Sequence, residues 1–144
     1  VAGSEQVRTH ALNHSRSWLL SGSQPPGVAA AQKAAVEVLM DEPEHHARLW
    51  ANTDKFRKEM ESLGFGLGMS TTPIIPVMCG ESAVAKQLSA EMRDLGVVVG
   101  AIVFPMVARD GARVRNQLSA GLSNEHLEEI LGAYETAGKA VNLI

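Results

Sequence analysis

The chain has 144 residues, of which 45% are apolar and 20% charged, and this composition is typical of a globular domain with its own core. Its net charge of −3, without a cluster of lysines and arginines, argues against a nucleic-acid-binding surface. The single cysteine, Cys79, excludes a disulfide framework and favours a reducing compartment such as the cytoplasm. The sequence has no run of about 18 apolar residues, so we predict no membrane span.

The first 42 residues predict helices and one polar loop. Val1–Gly3 looks like the end of a strand, as expected of a fragment cut from a longer chain. Ser4 is a good N-cap for a short helix. The loop SGSQPPG at Ser21–Gly27 is rich in backbone N–H groups near a helix start, which suits either an anion such as phosphate or a plain linker. The Ala-rich segment Val28–Met40 predicts a buried helix, because it is apolar on most faces.

From Pro43 onward the pattern predicts helix, strand, helix, strand, strand and helix. Pro43 opens a long helix that ends near Leu63. A strand follows at Thr72–Met78, at a sheet edge, since its prolines cannot donate to a ladder. The next helix covers Glu81–Leu95, and Ser123 caps the last one. This order predicts an α+β fold, in which helices cover a small and mostly antiparallel sheet.

Between these helices, Gly96–Ser119 predicts two strands joined by a turn at Asp110-Gly111. The β-branched run that contains Val97–Val99 is typical of a strand covered on both faces. Alternation in the second strand places Arg113 and Arg115 on the same face. If that face is in solvent, both are ordinary surface charges. If it lines a cleft, Arg115 is a clamp for a carboxylate, because a guanidinium binds that group with two parallel hydrogen bonds.

Three short motifs give the chain a resemblance to a known family. They are Leu20–Ser23 with Pro25-Pro26, Pro73–Val77, and Phe104–Arg115 with Ser119-Ala120. Through them the whole chain resembles the C-terminal third of the α-oxoamine synthases, pyridoxal-phosphate (PLP) enzymes of the aspartate-aminotransferase fold, or fold type I. Within that family it most resembles the 2-amino-3-ketobutyrate CoA ligase and 8-amino-7-oxononanoate synthase branches. The resemblance implies that residues 1–42 are the helical tail of the large PLP-binding domain and residues 43–144 the small C-terminal domain.

The resemblance also implies two sites and an assembly. Arg115 matches the arginine that binds the carboxylate of the amino-acid substrate. Ser21 and Gly22 match positions that reach the PLP phosphate of the neighbouring subunit, which implies a homodimer. The implied reaction joins an amino acid to an acyl-CoA or acyl-carrier thioester and gives an α-oxoamine, with loss of CO2 in most members. The chain departs from the family at Gly22, which offers only its backbone N–H, and at Leu122, where many members have a histidine.

We expect no catalytic residue within these 144 residues. In the family, the lysine that binds PLP covalently lies upstream of the position that Val1 matches, so the chain alone should be inactive. His10 and His14 are one helical turn apart but have no third ligand nearby, so we predict no metal site. Two alternatives stay open: an aminotransferase of the same fold, in which Arg115 binds the carboxylate of a keto acid, and a non-catalytic α+β dimerisation module without PLP.

Overall fold

The computed structural model describes residues 3–144, except for the side chain of Leu19, so most of the strand end predicted at Val1–Gly3 lies outside the described residues. The chain divides into two compact units, residues 1–42 and residues 43–144. Among the described residues, no helix is both long enough and apolar enough to cross a membrane.

The first unit is helical, with α1 at Glu5–His14, α2 at Arg16–Leu19 and α3 at Pro26–Asp41. Ser4 caps α1 as predicted, since its hydroxyl accepts a hydrogen bond from the Val7 N–H at 3.4 Å. No side chain that the structure describes in this unit is buried. The prediction that α3 is a buried helix is therefore wrong for this chain, because its apolar face finds no cover within its own unit.

The second unit has the predicted order of elements and confirms the α+β class. Its elements are α4 (Glu44–Ser62), β1 (Ile74–Gly80), α5 (Ser82–Asp94), β2 (Gly100–Ile102), β3 (Ala112–Gln117) and α6 (Asn124–Ala140). The three strands form one antiparallel sheet in the order β1-β3-β2, so β1 lies at an edge as predicted.

One face of the sheet carries the core. Ile75, Val77 and Val114 point to this face and are fully buried, together with Leu88 from α5 and Leu127 from α6. Burial of each such side chain stabilises the fold by about 1.5–3 kcal/mol. Because side chains alternate along β3, Arg113, Arg115 and Gln117 lie on the opposite and more open face.

The strand expected before Pro105 is shorter and less covered than predicted. β2 has only three residues, and Val98 just before it is 80% exposed. The Val97 N–H donates to the Met92 carbonyl at 2.8 Å, and the Val99 carbonyl accepts from the Ser89 hydroxyl at 2.8 Å. The prediction of a long strand covered on both faces is wrong here, because this segment is hydrogen-bonded to α5 rather than to a neighbouring strand.

Candidate functional site

A cleft of about 600 Å³ opens in the second unit, where β3 continues beyond its pairing with β2. The first residue of β2, Gly100, lies opposite Arg115, so β3 has a paired strand on only one side after that point. Residues from α4, from the segment before β2, from β3 and the loop after it, and from α6 line the cleft, among them Val97, Val99, Arg115, Leu122, His126 and Glu129. The volume lies in the range that small-molecule sites use, and the lining combines apolar walls with a few charged groups.

Arg115 is mounted on the open face of the sheet and is exposed to solvent. Its neighbours in register are Pro76 on β1 and Gly100 on β2, neither of which carries a charge. A Cβ built on Gly100 would meet no atom within 4 Å, so there is open space beside this arginine. Within the part of the chain that the structure describes, its guanidinium has no hydrogen bond or ion pair. It is therefore free to bind a carboxylate.

Arg113 lies on the same face, as the alternation predicted, but in a different environment. Its Nε donates to the Gly111 carbonyl at 3.0 Å, and its side chain is half-buried. The chain thus holds one arginine of the pair against its own backbone and leaves Arg115 available. Sequence alone did not separate these two roles.

His126 and Glu129 belong to the cleft but were not singled out in the sequence. The Ser123 hydroxyl accepts from the His126 N–H at 3.2 Å, and the Ser123 N–H donates to His126 Nδ1 at 3.3 Å. Because Nδ1 accepts, the ring proton resides on Nε2. The same hydroxyl holds the pKa of the Glu125 carboxyl below its ordinary value through a hydrogen bond. The capping spacing of Ser123 and His126 was the signal available in the sequence.

Asn52 fixes the loop that forms one wall of the cleft. Its side-chain amide is nearly buried and donates to the Ser119 carbonyl at 2.9 Å and to the Leu122 carbonyl at 3.0 Å. Sequence reasoning missed this residue, because a polar side chain within a long helix does not by itself indicate burial. The signal was a polar side chain directly before Thr53, within the face that packs on the core.

Ser21 and Gly22 lie in the first unit, in the exposed segment between α2 and α3. The Ser21 hydroxyl donates to the Trp18 carbonyl and accepts from the Ser23 N–H, both at a long 3.4 Å. A Cβ at Gly22 would meet nothing within 4 Å. An exposed hydroxyl and an open backbone are compatible with a phosphate group. No lysine is among the described residues that line the cleft of the second unit, so that cleft offers no side chain for covalent attachment of PLP.

The family described as Aminotransferase class I and II matches residues 1–133. The 8-amino-7-oxononanoate synthases of Exiguobacterium sibiricum and Symbiobacterium thermophilum are 40% and 42% identical over all 144 residues. A Thermus thermophilus protein named 8-amino-7-oxononanoate synthase/2-amino-3-ketobutyrate coenzyme A ligase is 39% identical over the same range. The chain spans 37%, 37% and 36% of the lengths of these relatives.

Solved structures of two such enzymes also align with almost the whole of this chain. Serine palmitoyltransferase of Sphingomonas wittichii is 27% identical, with a TM-score of 0.90 over 99% of this chain and 36% of that one. The 8-amino-7-oxononanoate synthase of Francisella tularensis shares the fold at 18% identity, with a TM-score of 0.80 over 99% of this chain and 41% of that one. The chain therefore belongs to the family described as Aminotransferase class I and II. The resemblance based on the three motifs is also confirmed, since the relatives that the chain matches are 8-amino-7-oxononanoate synthases and serine palmitoyltransferases, which are α-oxoamine synthases.

Proposed function

We propose that the whole protein is a PLP-dependent C-acyltransferase, which joins an amino acid to an acyl-CoA or acyl-carrier thioester. The names of its relatives support this reaction, since 8-amino-7-oxononanoate and 2-amino-3-ketobutyrate both carry an amino group beside a ketone. A bond forms between Cα of the amino acid and the acyl carbonyl carbon, and the thioester C–S bond breaks. The thiol leaves with the proton that Cα loses, and CO2 is lost afterwards in most family members. PLP, when bound, accepts the electron pair of the broken Cα bond.

The observation that carries this proposal is the free guanidinium of Arg115, a residue that lines the cleft. Because Arg115 lies on a strand between Pro76 and Gly100, its side chain has space to contact a ligand while its backbone stays fixed. A planar carboxylate pairs with a guanidinium through two parallel hydrogen bonds, which also sets its orientation. In our proposal, Arg115 would thereby hold the amino acid in one orientation towards the cofactor, and such positioning lowers the barrier to reaction.

We further propose that Ser21 and the N–H of Gly22 bind the phosphate of PLP in a neighbouring subunit, so that the active protein is a homodimer. We also propose that this homodimer is cytoplasmic. The exposed hydroxyl of Ser21 and the open space at Gly22 support a phosphate contact. Residues 1–42 would belong to the large PLP-binding domain and residues 43–144 to the small domain. The covalent lysine would come from elsewhere in the whole protein, so the 144-residue chain alone should be inactive.

Arg115→Ala in the full-length protein tests the clamp. It should raise the KM for the amino acid about tenfold to hundredfold, since a hydrogen bond to a charged group contributes about 1.5–3 kcal/mol. Arg113→Gln is the matched control, two residues away on the same face, and should leave that KM unchanged. An unchanged KM in Arg115→Ala would contradict the clamp. Light scattering of the full-length protein tests the homodimer, and a fully active monomer would contradict it.

The family description also supports a second candidate, an aminotransferase of the same fold in which Arg115 binds the carboxylate of a keto acid. A product assay on the full-length protein separates the two. Release of free thiol from an acyl thioester, with an amino acid present, supports the acyltransferase. Exchange of the amino group onto a keto acid supports the aminotransferase. If the full-length protein shows neither activity and binds no PLP, that outcome favours the non-catalytic dimerisation module.

A further inference from the structure

A buried polar network lies directly behind Arg115. The next residue on β3, Asn116, turns its side chain to the covered face of the sheet and is 7% exposed. Its Nδ2 donates to the Ile75 carbonyl at 3.0 Å, and its Oδ1 accepts from the Tyr134 hydroxyl at 2.6 Å. The network therefore joins the three elements β1, β3 and α6.

Tyr134 is held firmly at its end of the network. Its side chain is fully buried, and its ring meets the rings of Phe56 and Phe65 edge to face, with centroids 6.1 and 5.6 Å apart. Burial raises the pKa of this hydroxyl above its ordinary value, so the group stays protonated and donates. A buried donor without a partner destabilises a fold, and Asn116 supplies the acceptor.

The position of this network matters because β3 is weakly supported beside Arg115. Beyond the pair between Gly100 and Arg115, β3 is paired with β1 alone. The bond from Asn116 to the Ile75 carbonyl adds a side-chain connection between β3 and β1 at this point. α6 carries Tyr134 and also supplies His126 and Glu129 to the cleft. The network thus fixes the backbone that carries the guanidinium relative to the wall that α6 forms.

We propose that Asn116 and Tyr134 are positioning residues, which hold Arg115 in the geometry that binds the carboxylate of the substrate. This inference rests on the proposed function of Arg115. Tyr134 does not line the cleft. Asn116 does, but its side chain lies on the face of the sheet opposite Arg115 and is hydrogen-bonded to Ile75 and Tyr134, so both residues act through the backbone of β3. Their loss should reduce the preference of the protein for a carboxylate over an uncharged group.

The experiment measures that preference in the full-length, PLP-loaded protein by calorimetric titration. Glycine, L-alanine and L-serine are each titrated beside the corresponding amide, which lacks the carboxylate. The carboxylate selectivity is the affinity for the amino acid divided by the affinity for its amide. Arg115→Ala shows whether this ratio reports on the clamp. A wild-type ratio near one, or one that Arg115→Ala leaves unchanged, would overturn the proposed function itself and the inference with it.

Asn116→Leu should lower the carboxylate selectivity about tenfold, and Tyr134→Phe about threefold, because the second variant keeps the bond from Asn116 to Ile75. Thr53→Val is the matched control, since it removes a buried bond from Thr53 to the Leu49 carbonyl within α4, at 2.7 Å. It should lower the Tm and leave the selectivity unchanged.

The inference is overturned if both network variants retain the wild-type selectivity while Arg115→Ala loses it. In that outcome the clamp stands, and the network serves stability only. Should Asn116→Leu fail to fold, Tyr134→Phe decides the question alone, since it removes a single hydroxyl and leaves the ring contacts with Phe56 and Phe65 in place.

Discussion

The two units of this chain use their apolar residues in opposite ways. In residues 43–144, large side chains such as Ile75 and Leu88 are completely buried against a sheet. In the first unit no described side chain is buried, although α3 carries Val36, Leu39 and Met40, which are 56%, 57% and 76% exposed. An apolar helix therefore indicates that other residues of the protein cover it, but the helix sequence does not indicate where in the chain those residues lie.

The physical difference is the presence of a sheet. In the second unit the strands form a continuous apolar surface, and the apolar side chains of α5 and α6 are buried in the same core. The first unit consists of helices of 10, 4 and 16 residues, lengths at which an isolated helix is marginal in water. Its apolar surface therefore contributes little to stability unless residues beyond this unit cover it.

The largest expected effect comes from separating the two units. Residues 43–144 expressed alone should unfold in one cooperative transition, because the core lies within that unit. Residues 1–42 expressed alone should be largely unfolded. Circular dichroism during heating and the dispersion of amide NMR signals measure both. Cooperative unfolding of residues 1–42 alone would contradict the comparison.

A pair of leucine substitutions sharpens the comparison within the 144-residue chain. Leu88→Ala should lower the free energy of unfolding by about 2–5 kcal/mol, since Leu88 is fully buried and its removal leaves a cavity. Leu39→Ala makes the same chemical change at a 57% exposed site and should alter it by no more than about 0.5 kcal/mol. Urea unfolding curves measure both values, and equal losses would show that α3 is covered within the chain.

Sequence reasoning succeeded where the signal is local. The N-caps Ser4 and Ser123, the start of α4 after Pro43 and the face shared by Arg113 and Arg115 depend on neighbouring residues or on a short period. These features determined the element order and the α+β class, and the three short motifs indicated the family. The exposure of α3 did not follow, since burial depends on residues distant in the chain.

The details of the cleft were missed for the same reason. The bond from Asn52 to the Ser119 carbonyl spans 67 positions, and the bond from Asn116 to the Ile75 carbonyl spans 41. Nothing in the residues next to Asn52 or Asn116 indicates these partners. The strand predicted at Val97–Val99 failed for a different reason, because its backbone is hydrogen-bonded to Met92 and Ser89 of α5, which are near in sequence.

Glycine substitutions test how completely the core of the second unit is filled, with the smallest expected effect. On α6, a Cβ at the buried Gly138 would lie 2.5 Å from Cζ of the buried Phe65, whereas one at the exposed Gly132 would meet nothing within 4 Å. Gly138→Ala should lower the free energy of unfolding by about 1–2 kcal/mol, because overpacking outweighs the gain in helix propensity. Gly132→Ala should raise it by about 0.5–1 kcal/mol, since only the gain remains. Opposite signs on one helix would establish that the core has no room for a methyl group. If instead Gly138→Ala also stabilises the protein, the side chains around Phe65 shift readily to admit a methyl group. The contrast in packing between the two units is then smaller than the exposed fractions of their side chains indicate.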